Sequence, residues 1–287
     1  MNKTIIITGA GGFIGACLVN HFLSSGWKVK ALVHRLPTTG LPHVEYIAYN
    51  MMQIPDESIF QEVDALVHCA YVRFEKNKNA DEINFNGTKT LIDQCRKWRI
   101  KMIFLSSLSA HKNALSHYGR SKLQCEQLFD LGEEVVLNTG LVIGKNGLFG
   151  EMLNRMNHSR FFPLLDGGKQ KVQSIFMEDL FSILDAILAR NLSGKYCIAE
   201  PKPITLKEFY SELANQLHKK ITFVSIPLQW MYVVCKLVEK LHIPFPVTTD
   251  NLLGLKQMTT FETKEDLLNL GITIKNYKES FQSLLKY

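Results

Sequence analysis

The signatures of metal, disulfide and membrane-spanning proteins are missing from this 287-residue chain. Its six cysteines, at positions 17, 69, 95, 125, 197 and 235, never pair as CxxC, and its nine histidines never form HExxH. Most of the thiols fall in apolar segments. That reads as reduced, buried cysteine in a cytoplasmic protein, with no metal site and no disulfide framework. Long runs of one charge sign are also lacking. The 33 basic and 27 acidic residues leave a formal charge of +6, which suits an anionic ligand such as a phosphate ester and gives no reason to expect nucleic acid. No apolar stretch reaches the roughly 20 residues that cross a bilayer as a helix. The opening MNKTIIITGAGGFIG has the lysine and apolar run of a secretion signal, but glycines interrupt it. The segment ITFVSIPLQWMYVVC (221–235) is uncharged but short, contains Pro227, and reads as a buried or lid helix. No membrane partner is expected.

What is present is an alternation of short β-branched runs with helical patterns. TIIIT (4–8), KVKALVH (28–34), VEYIAY (44–49), DALVHCA (64–70), KMIFLSS (101–107) and EVVLNTG (134–140) read as strands. Residues 12–25, 83–98 and 117–131 read as helices between them. Nearly continuous apolar strands imply a parallel sheet covered on both faces, and right-handed crossovers make it doubly wound. After residue 145 the pattern shifts to loops, glycines and a mainly helical end. The expected organisation is α/β, with residues 1–147 plus 171–200 forming the sheet domain. A smaller, mostly helical C-terminal lobe would take 148–170 plus 201–287.

TIIITGAGGFIG places Gly9, Gly12 and Gly15 between a buried strand and a helix. Glycine permits the sharp turn, the close approach of a pyrophosphate to the backbone, and tight helix–strand packing. The helix N-terminus adds free N–H groups and partial positive charge for phosphates. A dinucleotide is therefore expected here, with Phe13 and Ile14 opening the helix. The ribose reader belongs at the end of the second strand. There the sequence has His34 and Arg35 and no carboxylate, which favours NADP(H) and leaves NAD(H) possible. The alternative is that Arg35 is only a solvated loop cation. SHYGRSKLQCEQLF (117–130) puts Tyr118 and Lys122 one helical turn apart, a spacing equally common on plain exposed helices.

Several motifs appear together in one order: TGAGGFIG (8–15), VDALVHCAY (63–71), NFNGT (84–88), IFLSS (103–107), YGRSK (118–122) and FMEDL (176–180). With the closing TTFETKEDLLNLGI, they resemble the extended short-chain dehydrogenase/reductase family, especially its nucleotide-sugar epimerase/dehydratase branch. The resemblance implies a Rossmann-type fold and a small-molecule substrate. It makes Tyr118 the general acid/base and Lys122 the cation that favours its phenolate and binds the nicotinamide ribose; a free phenol, with a pKa of about 10, is a poor base without such help. It makes Ser107, flanked by Ser106 and Ser109, the hydroxyl that polarises the substrate oxygen. Asn50 and Met51 fall where the family meets adenine. His68, Cys69, Ala70 and Tyr71 would line the cofactor cleft. Asn84 falls near the active site or is only a helix N-cap. Ser109, Thr139 and Lys171 join Ser107 and Tyr118 as expected substrate contacts.

Departures narrow the chemistry. Leu108 and Ser109 follow Ser107 where dehydratases of the branch carry Asp-Glu, which counts against dehydration. Asn138-Thr139 replaces a usual Arg-Pro, and Val172 takes the place of an expected Arg, with Lys171 beside it. The expectation is an NAD(P)-dependent nucleotide-sugar 4-keto reductase or 4-epimerase, homodimeric through the helices at 84–98 and 117–131. Reduction of a non-sugar carbonyl, or cofactor binding without catalysis, are the alternatives.

Overall fold

The structure, a computed structural model, describes residues 3–75, 77–243, 245 and 247–286. In chain order the strands are β1 (Thr4–Thr8), β2 (Lys28–Val33), β3 (Val44–Ala48), β4 (Ala65–His68), β5 (Lys101–Ser107), β6 (Val135–Thr139), β7 (Leu141–Ile143), β8 (Phe161–Leu165), β9 (Lys171–Val172), β10 (Ser174–Phe176), β11 (Gly194–Ile198), β12 (Ile204–Thr205) and β13 (Thr222–Ile226). The α-helices are α1 (Phe13–Ser24), α2 (Ala80–Trp98), α3 (His117–Glu126), α4 (Gly147–His158), α5 (Met177–Arg190), α6 (Leu206–Gln216), α7 (Leu228–Lys240), α8 (Thr249–Lys256), α9 (Lys264–Leu270) and α10 (Tyr277–Leu285). The chain divides into two compact units. One comprises Met1–Ser106, Ser121–Asn138 and Phe181–Tyr196; the other comprises Ser107–Arg120, Thr139–Leu180 and Cys197–Tyr287.

The first unit holds the seven-stranded sheet, in the order β11-β6-β5-β4-β1-β2-β3. The β3–β2, β2–β1, β1–β4 and β4–β5 pairs are parallel. Central strands read IIIT and ALVH because both of their faces are covered, and β1 and β4 are buried along their whole length. α2 buries Ala80, Ile83, Asn84, Gly87, Thr88, Leu91, Ile92 and Cys95, an i, i+3, i+4 stripe. Its core faces are filled by Leu66, Met102, Phe104, Phe129 and Val136, with Phe104 and Phe129 stacked at 5.1 Å. The sheet and its flanking helices are the doubly wound architecture that the alternation predicts.

The second unit has its own core, in which Phe149, Phe209 and Phe281 pack ring against ring beside Leu213 and Val172. Three two-stranded pairings supplement the helices: β7 with β10, β8 with β13, and β9 with β12. α6 starts on a capping box between Thr205 and Glu208. The closing segment is tied down by polar bonds: Thr263 Oγ1 donates to the Ala199 carbonyl, the Cys197 N–H donates to Asp266, and Gln173 bridges to the Phe261 backbone.

One expectation fails in this unit. Residues 221–235 are not a buried helix. Thr222–Ile226 pair in parallel with β8, Pro227 ends the strand and caps α7, and Cys235 is the one fully buried residue of that helix. The uncharged run is two elements split at the proline, which fixes φ and removes a backbone donor where the chain turns.

Candidate functional site

The glycine turn in the first unit is built for close approach. Gly9 has φ of +66°, and a Cβ there would lie 2.8 Å from the Ala70 backbone at the end of β4. A Cβ on Gly15 would overlap the Gly9 carbonyl. The Gly12 N–H closes the turn on the Gly9 carbonyl at 2.8 Å, and Gly12 then caps α1, whose first turn carries no acidic side chain. The Ala10 N–H reaches the Leu32 carbonyl and the Tyr49 N–H reaches that of Val33, which brings the ends of β2 and β3 beside the turn. His34 and Arg35 follow β2 directly and are exposed. Asn50 Oδ1 accepts from the Met52 N–H, and Met51 is buried against Gly87 of α2. A cradle that any side chain would fill, beside an uncapped and acid-free helix N-terminus, fits the diphosphate of a dinucleotide.

Beneath the turn runs a buried polar chain that sequence reading missed. Thr8 Oγ1 accepts the Cys69 and Ala70 N–H groups at 3.2 Å, so its own proton goes to His68 Nδ1 at 2.6 Å. His68 Nε2–H then donates to Thr88 Oγ1 at 3.1 Å, and Thr88 donates to Cys125 Sγ. His68 is fully buried, so it does not line a cleft; it is a core residue clamped by two threonines. Burial, with a smaller push from Lys122, lowers its pKa to about 3. Asn84 is not an N-cap either. It lies inside α2, where its amide accepts from the Val72 N–H at 2.8 Å and donates to the Val72 carbonyl at 2.9 Å, holding the chain after Tyr71.

Lys122 is 4% exposed. Its ammonium donates to the Leu105 carbonyl at 2.7 Å and sits 4.4 Å from the Phe104 ring centre and 5.6 Å from that of Tyr71. Burial lowers its pKa to about 8, with Cys125, Cys69 and Glu126 pulling it back up, so it keeps its proton at neutral pH. Burial raises the half-buried Cys69 thiol to about 12, against a smaller opposite pull from Lys122. Gly9, Cys69, Ala70, Tyr71 and Lys122, all expected at the cofactor, are thus grouped in the first unit. One turn beyond Lys122, Glu126 is buried, accepts from Ser106 Oγ and from Asn138 Nδ2 at 2.8 Å, and pairs with Lys195 at 2.6 Å. Glu126 continues the four-residue spacing of Tyr118 and Lys122, a signal that could have found it.

In the second unit, the hydroxyl positions separate. Ser107 is half-buried and its Oγ accepts the Ser109 N–H at 3.1 Å, whereas Ser106 belongs to the Glu126 network. Tyr118 is half-buried on the first turn of α3. A Cβ on Gly119 would overlap the Ser109 carbonyl and lie 2.9 Å from Ala114 Cβ, so the glycine lets the helix start against the serine loop. The His117 and Tyr118 N–H groups donate to the Asp250 carboxylate at 2.5 and 3.4 Å. Asp250 is 132 residues from Tyr118 and carried no signal in the sequence. Thr139 is buried, and its carbonyl accepts the Leu108 N–H at 3.0 Å. Lys171 is exposed and lines an open cavity of about 490 Å³ with Lys169, Lys256, Gln170, Asp166 and Thr260. Gln170 Oε1 is buried, with no hydrogen-bond partner among the described residues. Among the described residues, no group of three His, Cys, Asp or Glu side chains could hold a metal, and no helix is long and apolar enough to cross a membrane.

Comparison with known proteins gives concordant results. The model of the NAD dependent epimerase/dehydratase family matches residues 5–199. A sterol-4-alpha-carboxylate 3-dehydrogenase (decarboxylating) of Dictyostelium discoideum is 21% identical, aligned over 98% of this chain and all of its own. The uncharacterized protein y4nG of Sinorhizobium fredii is 24% identical over 79% of this chain, a match that spans 63% of that relative's length. The structure of UDP-glucuronic acid 4-epimerase from Bacillus cereus, in complex with UDP-glucuronic acid and NAD, superposes with a TM-score of 0.74. It covers 99% of this chain and 98% of its own, at 17% identity.

Proposed function

Because the chain belongs to the NAD-dependent epimerase/dehydratase family, we propose that it is a nucleotide-sugar oxidoreductase, a 4-keto reductase or a 4-epimerase. When bound, the nicotinamide cofactor supplies or accepts the hydride. Tyr118 gives the proton to the substrate oxygen in reduction and takes it in oxidation. Ser107 holds that oxygen. The observation that carries the reading is Lys122: a sealed ammonium, protonated at neutral pH, on the same helix as Tyr118 and four residues from it. Such a cation favours the phenolate.

The sugar-nucleotide preference draws support from the second unit. Lys169, Lys171 and Lys256 converge on one cavity, which Asp166 also lines, a setting suited to phosphate oxygens. NADP(H) is the preferred cofactor in this reading, because Arg35 and no carboxylate follow β2. The protein would work as a cytoplasmic homodimer, joined through α2 and α3.

Three measurements test it. The nucleotide released from the denatured protein identifies the cofactor. Oxidation of NADPH by a nucleotide 4-keto-sugar marks the reductase, and turnover of a nucleotide hexose without net cofactor change marks the epimerase. Tyr118→Phe is expected to keep nucleotide binding while kcat falls by about 10²–10⁴; unchanged turnover would overturn the assignment. A second reading, reduction of a non-sugar carbonyl, draws on the sterol-acting relative aligned along the whole chain. Activity on a sterol-type ketone, with none on sugar nucleotides, would select it.

A further inference from the structure

α7 carries an apolar stripe on the wrong side for a core. Trp230, Val233, Val234, Leu237 and Leu241 recur at i, i+3, i+4, i+7 and i+11, one face of a helix. Trp230 is 72% exposed, and Val233, Leu237 and Leu241 are each more than half exposed. Cys235, on the opposite face, is the buried residue, with its thiol directed to the Val247 carbonyl. The helix therefore packs by one side and offers a second, larger apolar side outward, which a protein surface rarely tolerates without a partner.

The surrounding charge selects the partner. Lys236 and Lys240 lie along one border of the stripe and are exposed, with the Lys236 ammonium 5.0 Å from the Tyr232 ring centre. Along α7 and its C-cap, residues 228–241, the charged side chains are Lys236, Lys240 and one acid, Glu239. The Glu239 carboxylate is turned to the Thr249 N–H and hydroxyl at 2.7 and 2.9 Å, away from the stripe. A second copy of the chain laid on this face would bring like charges together. The hydrophobic stripe with its Trp, edged by lysine, has the composition of a helix that lies in the plane of an anionic bilayer. From Trp230 to Leu241 the stripe is about 16 Å long, roughly half the hydrocarbon thickness, so it lies flat and does not cross.

We infer that α7 is a peripheral membrane-binding helix that seats its Trp230–Leu241 stripe in the headgroup region of anionic lipid. Among the described residues no helix is long and apolar enough to cross a membrane, which leaves such surface binding open. The inference is independent of the substrate.

Flotation of the full-length protein tests it, using phosphatidylcholine vesicles with and without phosphatidylglycerol. The protein is expected to float with the anionic vesicles alone, to be released by salt, and to shift its tryptophan emission to the blue on binding. Lys236→Gln and Lys240→Gln should each weaken binding about fivefold. Leu237→Glu should abolish it while leaving the thermal midpoint in place; Val233→Ser, a milder change, gives the same reading should that variant prove unstable. No flotation with anionic vesicles, or flotation unaltered by these substitutions, overturns the inference. So does conversion of a vesicle-free dimer to a monomer by Leu237→Glu, which would make a second copy the occupant.

Discussion

The Lys122 ammonium donates to the Leu105 carbonyl at 2.7 Å while buried beside the Phe104 ring. One backbone bond thus fixes the cation to Leu105, two residues before the end of the central strand β5, and its burial excludes water from it. Its charge persists at neutral pH but is held at a disadvantage, since burial lowers its pKa from 10.5 to about 8.

Lys122 should therefore leave a mark on stability at alkaline pH. Between pH 8 and 10.5 the unfolded chain keeps this proton and the folded chain releases it, so the term favours folding increasingly as pH rises through that window. In urea titrations, the stability of the native protein relative to Lys122→Met is expected to improve by on the order of 2 kcal/mol from pH 8 to 10.5. At neutral pH the same variant should lose at least about 10²-fold in kcat.

His68 acts in the acid range. Its folded pKa of about 3 lies below the ordinary 6.5 because burial disfavours the imidazolium. As pH falls below 6.5 the unfolded chain takes up a proton that the folded chain refuses, and stability declines by up to about 1.4 kcal/mol per pH unit. His68→Gln lacks this slope. The variant should be less stable than the native protein at pH 7, by about 1 kcal/mol, and the gap should close by pH 5 in denaturant titrations.

Glu126 and Lys195 form an asymmetric pair: the carboxylate is sealed and the ammonium reaches solvent. Removing the lysine strands a buried charge. Lys195→Met is expected to cost about 3 kcal/mol, and Lys195→Met combined with Glu126→Gln less than that. A double-mutant cycle of thermal midpoints checks the sign of the coupling.

Asp250 caps the helix that carries Tyr118. Asp250→Ala should cost about 1 kcal/mol and speed hydrogen exchange at the His117 and Tyr118 amides before any others in α3. Equal exchange rates in the two proteins would show that the carboxylate does not hold this turn.

The parts of this protein that could be read in advance share a cause. β1, β4 and β5 are continuous apolar runs, and Gly9 and Gly15 sit where a turn admits no side chain, so local sequence determines both. The residues that escaped reading depend on distant partners. Thr8, His68 and Thr88 look unremarkable until the sheet and α2 bring them within bonding distance. The N-cap reading of Asn84 failed because α2 begins at Ala80, a turn earlier than its apolar periodicity suggested. Residues 221–235 misled because an uncharged run says nothing of where a strand ends, and only pairing with β8 divides it at Pro227.

The Asp250 cap also sorts the protein's helix termini. An internal carboxylate already occupies the first amides of α3, so the positive end of that dipole is neutralised by the chain itself. α1 begins after Gly12 with no acid in its first turn and no side-chain cap. Of two helices that start beside candidate site residues, one has its first amides taken by a carboxylate of the chain itself and the other is left open to an anion.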